Sequence, residues 1–274
     1  MEKRIITIFT NNTEISNETV KLLYSKITES GFIPSGEFTE NSELIICIGG
    51  DGAFLTAVRN YDFPDVPFVG VNTGHLGFFQ EIHPDQIESF IDNYKDGKYH
   101  IQRLKAVKAD VVFKDRTIEH VGLNEIVIKG SGSYSIHLDI SIGGSFIQRF
   151  SGDGILVATP AGSTAYNYSL GGCIVDPRLN ILQVTPIAPM NTTAYRSFTS
   201  SILLPSGLSL GVKPEQGPDY DVQISADGFE QSYKGIEHIN IYFSETVINL
   251  MRFESYDFWS KVKTKFLDDR AVQL

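Results

Sequence analysis

Cysteine is scarce in this chain: of 274 residues only Cys47 and Cys173 carry a thiol. Two positions so far apart suggest neither a disulfide framework nor a zinc site, which needs more ligands at closer spacing. Cys47, inside an apolar run, is expected as a buried free thiol. Positive charge is scarce too. Lys and Arg number 23 against 33 Asp and Glu, a formal net charge of -10, so nothing offers a basic footprint to nucleic acid or to an anionic membrane surface. An anionic ligand must then be drawn by local features: main-chain amides, a metal ion, or a few placed Lys and Arg. Long apolar runs are also missing, and none approaches the roughly 20 residues that span a bilayer. The N-terminal MEKRIITIFT has only a short apolar segment, where a signal peptide needs a longer core. These shortages lead us to expect a cytoplasmic chain with no membrane and no nucleic-acid partner.

What is present is an ordinary globular composition, 42% hydrophobic and 20% charged, in two textures. Residues 4–9 (RIITIF), 44–48 (LIICI) and 67–71 (PFVGV) read as strands. Between the first two, Asn11, Asn12 and Thr13 offer turn and cap chemistry, and Ile15, Thr19, Leu22, Leu23 and Ile27 mark one helical face that Gly31 stops. Phe54, Leu55 and Val58 stripe a second helix; Pro84 opens a third that Gly97 closes. Such alternation predicts a Rossmann-like parallel sheet flanked by helices. Beyond residue 101 the signals become strands and tight turns, with Gly143-Gly144 marking a hairpin. One helix is expected over residues 163–170. The fold class is therefore an α/β N-terminal domain over residues 1–102, followed by an all-β, sandwich-like domain over 103–249. The tail, DFWSKVKTKFL at 257–267, reads as an amphipathic helix, and 250–274 is expected to pack back on the first domain.

Residues 43–58, ELIICIGGDGAFLTAV, place Gly49-Gly50-Asp51-Gly52 between a buried strand and a helix. Glycines permit positive φ and let a phosphate approach the main chain, and the helix start adds unpaired N–H groups. An aspartate there needs a separate reason. Asp51 caps the helix, holds Mg²⁺ against a phosphate, or accepts a proton from a hydroxyl attacking a phosphate; the tetrapeptide alone leaves all three open. No GK[ST] follows, so this is not the lysine-bearing phosphate loop. A second segment, SGDGILVATPAGSTAYNYSL at 151–170, ends a strand at Thr159-Pro160 and opens a helix bearing Tyr166 and Ser169. Hydroxyls and an aromatic at a helix start suit a polar ligand with a flat base; a capped helix after a plain hairpin turn at Gly152-Asp153-Gly154 is the alternative.

Together these stretches resemble the bacterial NAD kinases, which phosphorylate NAD to NADP. The resemblance rests on GGDG at 49–52, NTGHLGF at 72–78, Asn124-Glu125, and the run from Gly152-Asp153-Gly154 through TPAGSTAY at 159–166, all in the family's order. The first loop is shared with phosphofructokinases and lipid kinases; TPAGSTAY is specific. By resemblance, Asp51 is the catalytic base toward the adenosine ribose 2′-hydroxyl, and Gly49, Gly50 and Gly52 shape its loop. Asn124 and Glu125 match the pair that binds the dinucleotide's ribose and phosphate region. Phe78 matches an aromatic of the adenine pocket, and Thr164, Ala165, Tyr166 and Ser169 match residues around the adenine and its ribose. Asp153 and Ala188 match contacts to the nicotinamide half, often made by a neighbouring subunit, and Asp227 is a further candidate beside its reading as a hairpin turn. One departure is Ala53, where the family usually has threonine; reduced phosphate affinity or an altered donor preference is expected from it.

The resemblance implies NAD and ATP as substrates, a homodimer or homotetramer, and Mg²⁺ carried by the ATP phosphates, since no carboxylate cluster forms a dedicated metal cage. Lys129, Arg149 and Arg196 could offset phosphate charge but read more simply as surface charges, and His75 and His137 as structural. Two rivals compete: a lipid kinase of the diacylglycerol or sphingosine type, which shares the first loop, and a non-catalytic NAD(H)-binding sensor.

Overall fold

A computed structural model of the protein describes residues 4–11, 14–74, 76–132, 134–193, 195–215 and 220–267. The expected cap at Asn12 and Thr13, and His75, lie outside them. The chain forms two compact units: one takes the residues up to Arg103 and those from Val247 onward, the other runs from Leu104 to Thr246.

The first unit is a parallel sheet with helices. Its elements are β1 (Ile5–Thr10), α1 (Glu14–Glu29), β2 (Ile33–Ser35), β3 (Ser42–Gly49), α2 (Asp51–Asn60), β4 (Phe68–Asn72), β5 (Gln80–Ile82) and α3 (Ile87–Lys95). The strand order is β2-β1-β3-β4, all parallel. β5 lies parallel to β4, as does the end of the strand Ile236–Arg252, which pairs Leu250 with Phe68. β3 shows why the sheet is covered on both faces. Every residue of SELIICIG except Glu43 is buried, the near-continuous apolar run of a parallel strand rather than an alternating one. Cys47 is fully buried in it, and burial pushes its thiol pKa up.

On one face, Ile6, Ile8, Leu44, Ile46, Ile48, Val69 and Val71 pack with Leu23 and Ile27 of α1 and Phe90 and Ile91 of α3. The stripe of α1 differs from the expected one. Ile15 and Leu22 are exposed, while Ser16 and Thr19 are buried with Leu23 and Ile27. Ser16 occupies the core-facing position because its hydroxyl donates to Asn11 Oδ1 at 2.8 Å and lies 3.1 Å from Thr73 Oγ1. A polar anchor therefore set the helix rotation, against the apolar count.

The second unit is an antiparallel sandwich, in line with the expected all-β class. One sheet runs Ile202–Pro205, Ile181–Ile187, Gly154–Ala158, Glu125–Gly130, Val222–Ala226, Phe229–Tyr233. The other joins Ser145–Gly152, Ile136–Ile142, Leu210–Pro214 and the first part of Ile236–Arg252, and takes in His100–Phe113, which pairs in turn with Thr117–Gly122. Alternate residues of both sheets point inward: Ile126 and Ile128 from one, Ile136, Leu138 and Ile140 from the other.

One alternative and one expectation are corrected here. Gly152-Asp153-Gly154 is no hairpin turn, since the strands on either side pair in different sheets. Nor does a continuous helix cover residues 163–170. A 3-10 turn, Ala161–Thr164, is followed by a single α-turn, Tyr166–Ser169, because Ala165 between them has the non-helical angles φ -93 and ψ -132. The tail forms α-helix over Phe258–Val262 and then a wider turn, Lys263–Leu267, with Asp257 capping the helix through bonds from the N–H groups of Trp259 and Ser260. Among the described residues no helix is long and apolar enough to cross a membrane.

Phe54 ties α2 to the sheet. It is fully buried, stacks on Phe79 at 4.7 Å and tilts against Phe68 at 5.5 Å. Phe54→Ala should cost about 3–5 kcal/mol of folding stability, read as a lowered denaturant midpoint.

Candidate functional site

In the first unit, β3 delivers the chain to the GGDG turn and α2 starts on it. Gly49 ends the strand with φ +141, a conformation that side chains rarely adopt, and the Cβ it lacks would lie 2.7 Å from that of Ala53. Gly50 caps α2, and Cβ atoms on Gly50 or Gly52 would meet nothing within 4 Å, so the turn's surface is open. Asp51 makes no side-chain cap to α2. Its carboxylate instead turns to the NTGHLGF loop, accepting from Phe78 N–H on Oδ2 and Phe79 N–H on Oδ1, both at 3.0 Å. About a quarter of the side chain, 27%, stays exposed.

Gly77 is what lets the loop come this close. A Cβ there would sit 2.4 Å from Asp51 Oδ1 and 2.6 Å from Gln80 Oε1. Gln80 is a second notable residue of this corner: it is buried, and neither its Oε1 nor its Nε2 has a hydrogen-bond partner. Phe78 is buried too, its ring packed between Phe258 at 5.8 Å and Phe266 at 5.9 Å.

The loop's carbonyls are held from the other side by cations of the C-terminal segment. Arg252 donates to Phe78 O at 3.1 Å, to Gln102 Oε1 at 2.8 Å and to Glu81 Oε2 at 3.2 Å, with its guanidinium 3.6 Å from the Tyr256 ring centre. Burial lowers its pKa, against the raising effect of Tyr256 and Glu81. Lys261 donates to Gly77 O at 3.2 Å and to Gln80 O. Burial, and then the charge of Arg252, bring its ammonium down to about 8. Lys265 Nζ stands 3.7 Å from Asp51 Oδ2. None of Gln80, Arg252, Lys261 and Lys265 was visible as a site residue in the sequence. They lie outside the motifs, and only pairing in the fold brings residues near 252–265 to a loop near 77–80.

In the second unit the hub is Asp227, in a turn with φ +50. Its carboxylate accepts from the N–H groups of Leu123 at 2.6 Å, Asn124 at 2.7 Å and Glu125 at 3.2 Å. That fixes the backbone of the Asn-Glu pair and gives Asp227 a positioning role. Thr159 closes the other side, its N–H donating to Asn124 O at 2.9 Å and its hydroxyl to Leu123 O at 2.6 Å. The TPAGST turn therefore seats directly on Asn124. Both members of the pair are buried, and Asn124 Oδ1 and Glu125 Oε2 lack hydrogen-bond partners. Burial, and then repulsion from Asp227, raise the Glu125 carboxyl from 4.5 to about 8.

Glu125 and Tyr166 line one cavity of about 320 Å³ with Lys129, Gln223, Ser225 and Glu230. Tyr166 is partly exposed and its hydroxyl accepts from Lys129 Nζ at 3.0 Å. Thr164 is buried, Ala165 half-buried and Ser169 exposed. Asn167, which drew no attention in the sequence, is fully buried and ties Ser163 O, Cys173 O and Thr185 Oγ1 together. Asp153 and Ala188 belong to a different corner. Asp153 N–H donates to Ile187 O, Asp153 and Ala188 are exposed, and Ala188 has φ +42. The strand Gly154–Ala158 pairs Lys129 at the Asp153 end and Glu125 at the other, so about four residues of strand, roughly 13 Å, separate them. Arg149 is paired with Asp139 and Glu215, and His137 stacks on Tyr195 at 4.5 Å. Among the described residues no group of three His, Cys, Asp or Glu could hold a metal ion.

A carboxylate set in an open, glycine-lined turn at a helix start, and a separate polar cavity beside an aromatic, are the parts of an enzyme that handles phosphate and a nucleotide. Comparison with known proteins gives the family. The model of the ATP-NAD kinase N-terminal domain matches residues 5–99 and that of the C-terminal domain residues 123–245. An NAD kinase of Finegoldia magna is 39% identical over 268 residues, 96% of this chain and 98% of that protein. One of Staphylococcus carnosus is 33% identical over 235 residues, covering 84% and 87%. The chain belongs to the NAD kinase family. Its fold is that of yeast NADH kinase, solved with NADH (TM-score 0.82, 21% identity, 95% of this chain and 86% of that one). It is likewise that of an Archaeoglobus fulgidus NAD kinase solved with ATP (TM-score 0.77, 23% identity, 95% and 98%). Neither the lipid-kinase nor the sensor reading finds support in these matches.

Two outcomes follow from the geometry. Gly77→Ala should push the Asp51 carboxylate from its two amides and lower turnover at least about tenfold, with NAD affinity by calorimetry unchanged. For Glu125, the folded chain keeps its proton up to about 8 while the unfolded chain loses it near 4.5. Its contribution to stability is complete below that lower value and is lost as pH rises toward 8. Glu125→Gln should remove this part of the pH dependence, seen as denaturant midpoints that converge with wild type at low pH and exceed it at high pH.

Proposed function

We propose that the protein transfers the γ-phosphoryl group of ATP to the 2′-hydroxyl of the adenosine ribose of NAD, giving NADP. The observation that carries this reading is the Asp51 carboxylate. Two main-chain amides grip it, it faces an open turn rather than capping its own helix, and part of it reaches solvent. Such a group can accept a proton from an attacking hydroxyl without leaving its place. A carboxylate has lone pairs beyond the two that the amides use.

Phosphoryl transfer leaves a protein little covalent work, so positioning and charge stabilisation dominate. The phosphorus–oxygen bond to ADP breaks as the bond to the 2′-oxygen forms, and the 2′-hydroxyl proton passes to Asp51. The turn's main-chain N–H groups and the start of α2 receive phosphate, with Gly50 and Gly52 leaving the approach clear. Ala53 offers only its N–H there, where the family's threonine would add a hydroxyl. Asn124, Glu125 and Tyr166 bind the dinucleotide; the unpaired buried atoms of Asn124 and Glu125, and the cavity that Glu125 shares with Tyr166, support that role. Phe78, Thr164, Ala165 and Ser169 complete the adenosine contacts. A protonated Glu125 is a donor to a ribose or phosphate oxygen at neutral pH.

Mg²⁺ bound to the triphosphate would neutralise charge on the transferring group. Among the described residues of this corner, Asp51 would be the carboxylate available to it, since Glu81 is taken by Arg252 and the Phe253 N–H. Asp153 and Ala188 lie at the far end of their strand from Glu125, which fits their serving a neighbouring copy in a homodimer or homotetramer. The setting is cytoplasmic.

General-base help is worth about 10²–10⁴-fold. Asp51→Asn should therefore lose at least a hundredfold in NADP formation from NAD, ATP and Mg²⁺ while binding NAD normally. A variant that keeps more than about a tenth of the wild-type rate would remove Asp51 from the chemistry.

A further inference from the structure

The GGDG turn brings no lysine of its own, yet it must hold a phosphate in a chain whose net charge is -10. Three cations of the segment 252–265 surround its partner loop, and they differ in how firmly they are held. Arg252 is buried and divided among Gln102, Glu81 and Phe78 O. Lys261 is committed to the carbonyls of Gly77 and Gln80. Neither can leave without stranding buried carbonyls. Lys265 is different. Its ammonium is 3.7 Å from Asp51 Oδ2, too long for a good hydrogen bond. A third of the side chain, 33%, is exposed, and the ammonium lies 4.9 Å from the Phe78 ring centre, a contact that holds it over the loop.

A second observation marks the same corner as a place for a ligand. Gln80 is 2% exposed and both atoms of its amide lack partners. Its Oε1 and Asp51 Oδ1 both lie within 2.6 Å of the point where a Cβ on Gly77 would stand. A buried amide with nothing to bond is costly unless a bound group completes it.

We infer that Lys265 is the phosphate-binding cation of this site, the lysine that the GGDG turn lacks. It pairs with the group in transfer while remaining beside Asp51. A lysine ammonium is a compact charge on a flexible stem, suited to following a phosphate as a point charge. A phosphate oxygen would replace the weak approach to Asp51 with a full charge-assisted bond. The inference rests on the reading of Asp51 as the catalytic base.

The test is calorimetric titration of the full-length protein with Mg²⁺ and the non-hydrolysable imido analogue of ATP, with NAD titrated separately. Wild type, Lys265→Met and Lys265→Arg are compared. Lys265→Met should weaken the analogue about tenfold or more, leave NAD affinity within about twofold and leave the thermal midpoint unchanged, and Lys265→Arg should restore most of the loss. In turnover the methionine variant should raise the KM for ATP and lower kcat. Unchanged analogue affinity in Lys265→Met overturns the inference. So does equal weakening of NAD and analogue with a lowered midpoint, the mark of a merely structural role. Wild type that binds the analogue through Lys265 but forms no NADP upholds the inference and sinks the kinase reading. Asp51→Asn without turnover beside Lys265→Met with wild-type constants does the reverse.

Discussion

The first unit is arranged around one carboxylate held by two amides. Phe78 and Phe79 can offer their N–H groups to Asp51 only if Gly77 has no side chain and if the loop's carbonyls are satisfied elsewhere. Arg252 and Lys261 meet the second condition. The same peptide units are thus bonded on both sides, with the anion at their hydrogens and cations at their oxygens, so each contact polarises the next. Burying Arg252 and Lys261 is expensive, as their lowered pKa values record. Partners on every side offset that cost, and the result is a loop with little freedom to drift.

The second unit repeats the logic with another aspartate. There Asp227 is the buffer, accepting three consecutive amides so that Asn124 and Glu125 present side chains from a fixed backbone. Its negative charge, added to burial, keeps the neighbouring Glu125 protonated well above the usual carboxylate range. In both units an aspartate organises a short loop by accepting main-chain N–H groups. In one the aspartate is the proposed base, and in the other it holds the residues beside it.

Much of this was legible in the sequence because glycine and burial patterns are local. LIICI followed by Gly-Gly-Asp-Gly could only be a covered strand meeting a helix, and the structure has β3 and α2 there. The two-texture layout was likewise readable from the spacing of turn residues. What escaped depends on distant pairings. β5 is three residues long and polar at its start, too short for any periodicity. The α1 stripe followed Ser16 rather than Ile15 because Thr73 and Asn11 wait for a hydroxyl. The cations around Asp51 come from residues near 252–265, and nothing within that stretch announces its destination. Asp153 looked like a turn because glycines flank it, whereas the chain passes there from one sheet to the other.

The division of the chain also bears on how the protein is made. The first unit is discontinuous: its sheet takes in Leu250 beside Phe68, and the carbonyl of Phe78 waits for Arg252. A ribosome releasing the chain from its N-terminus exposes β4 and the 77–80 loop some 170 residues before Arg252 is made, so the first unit cannot close until the second has been synthesised. Contacts of such long range make closure slow and leave the Phe68 end of β4 without its second neighbour meanwhile. The surroundings of Asp51 are therefore completed late in biosynthetic order, and a nascent or prematurely terminated chain carries the GGDG turn without the cations that brace its partner loop.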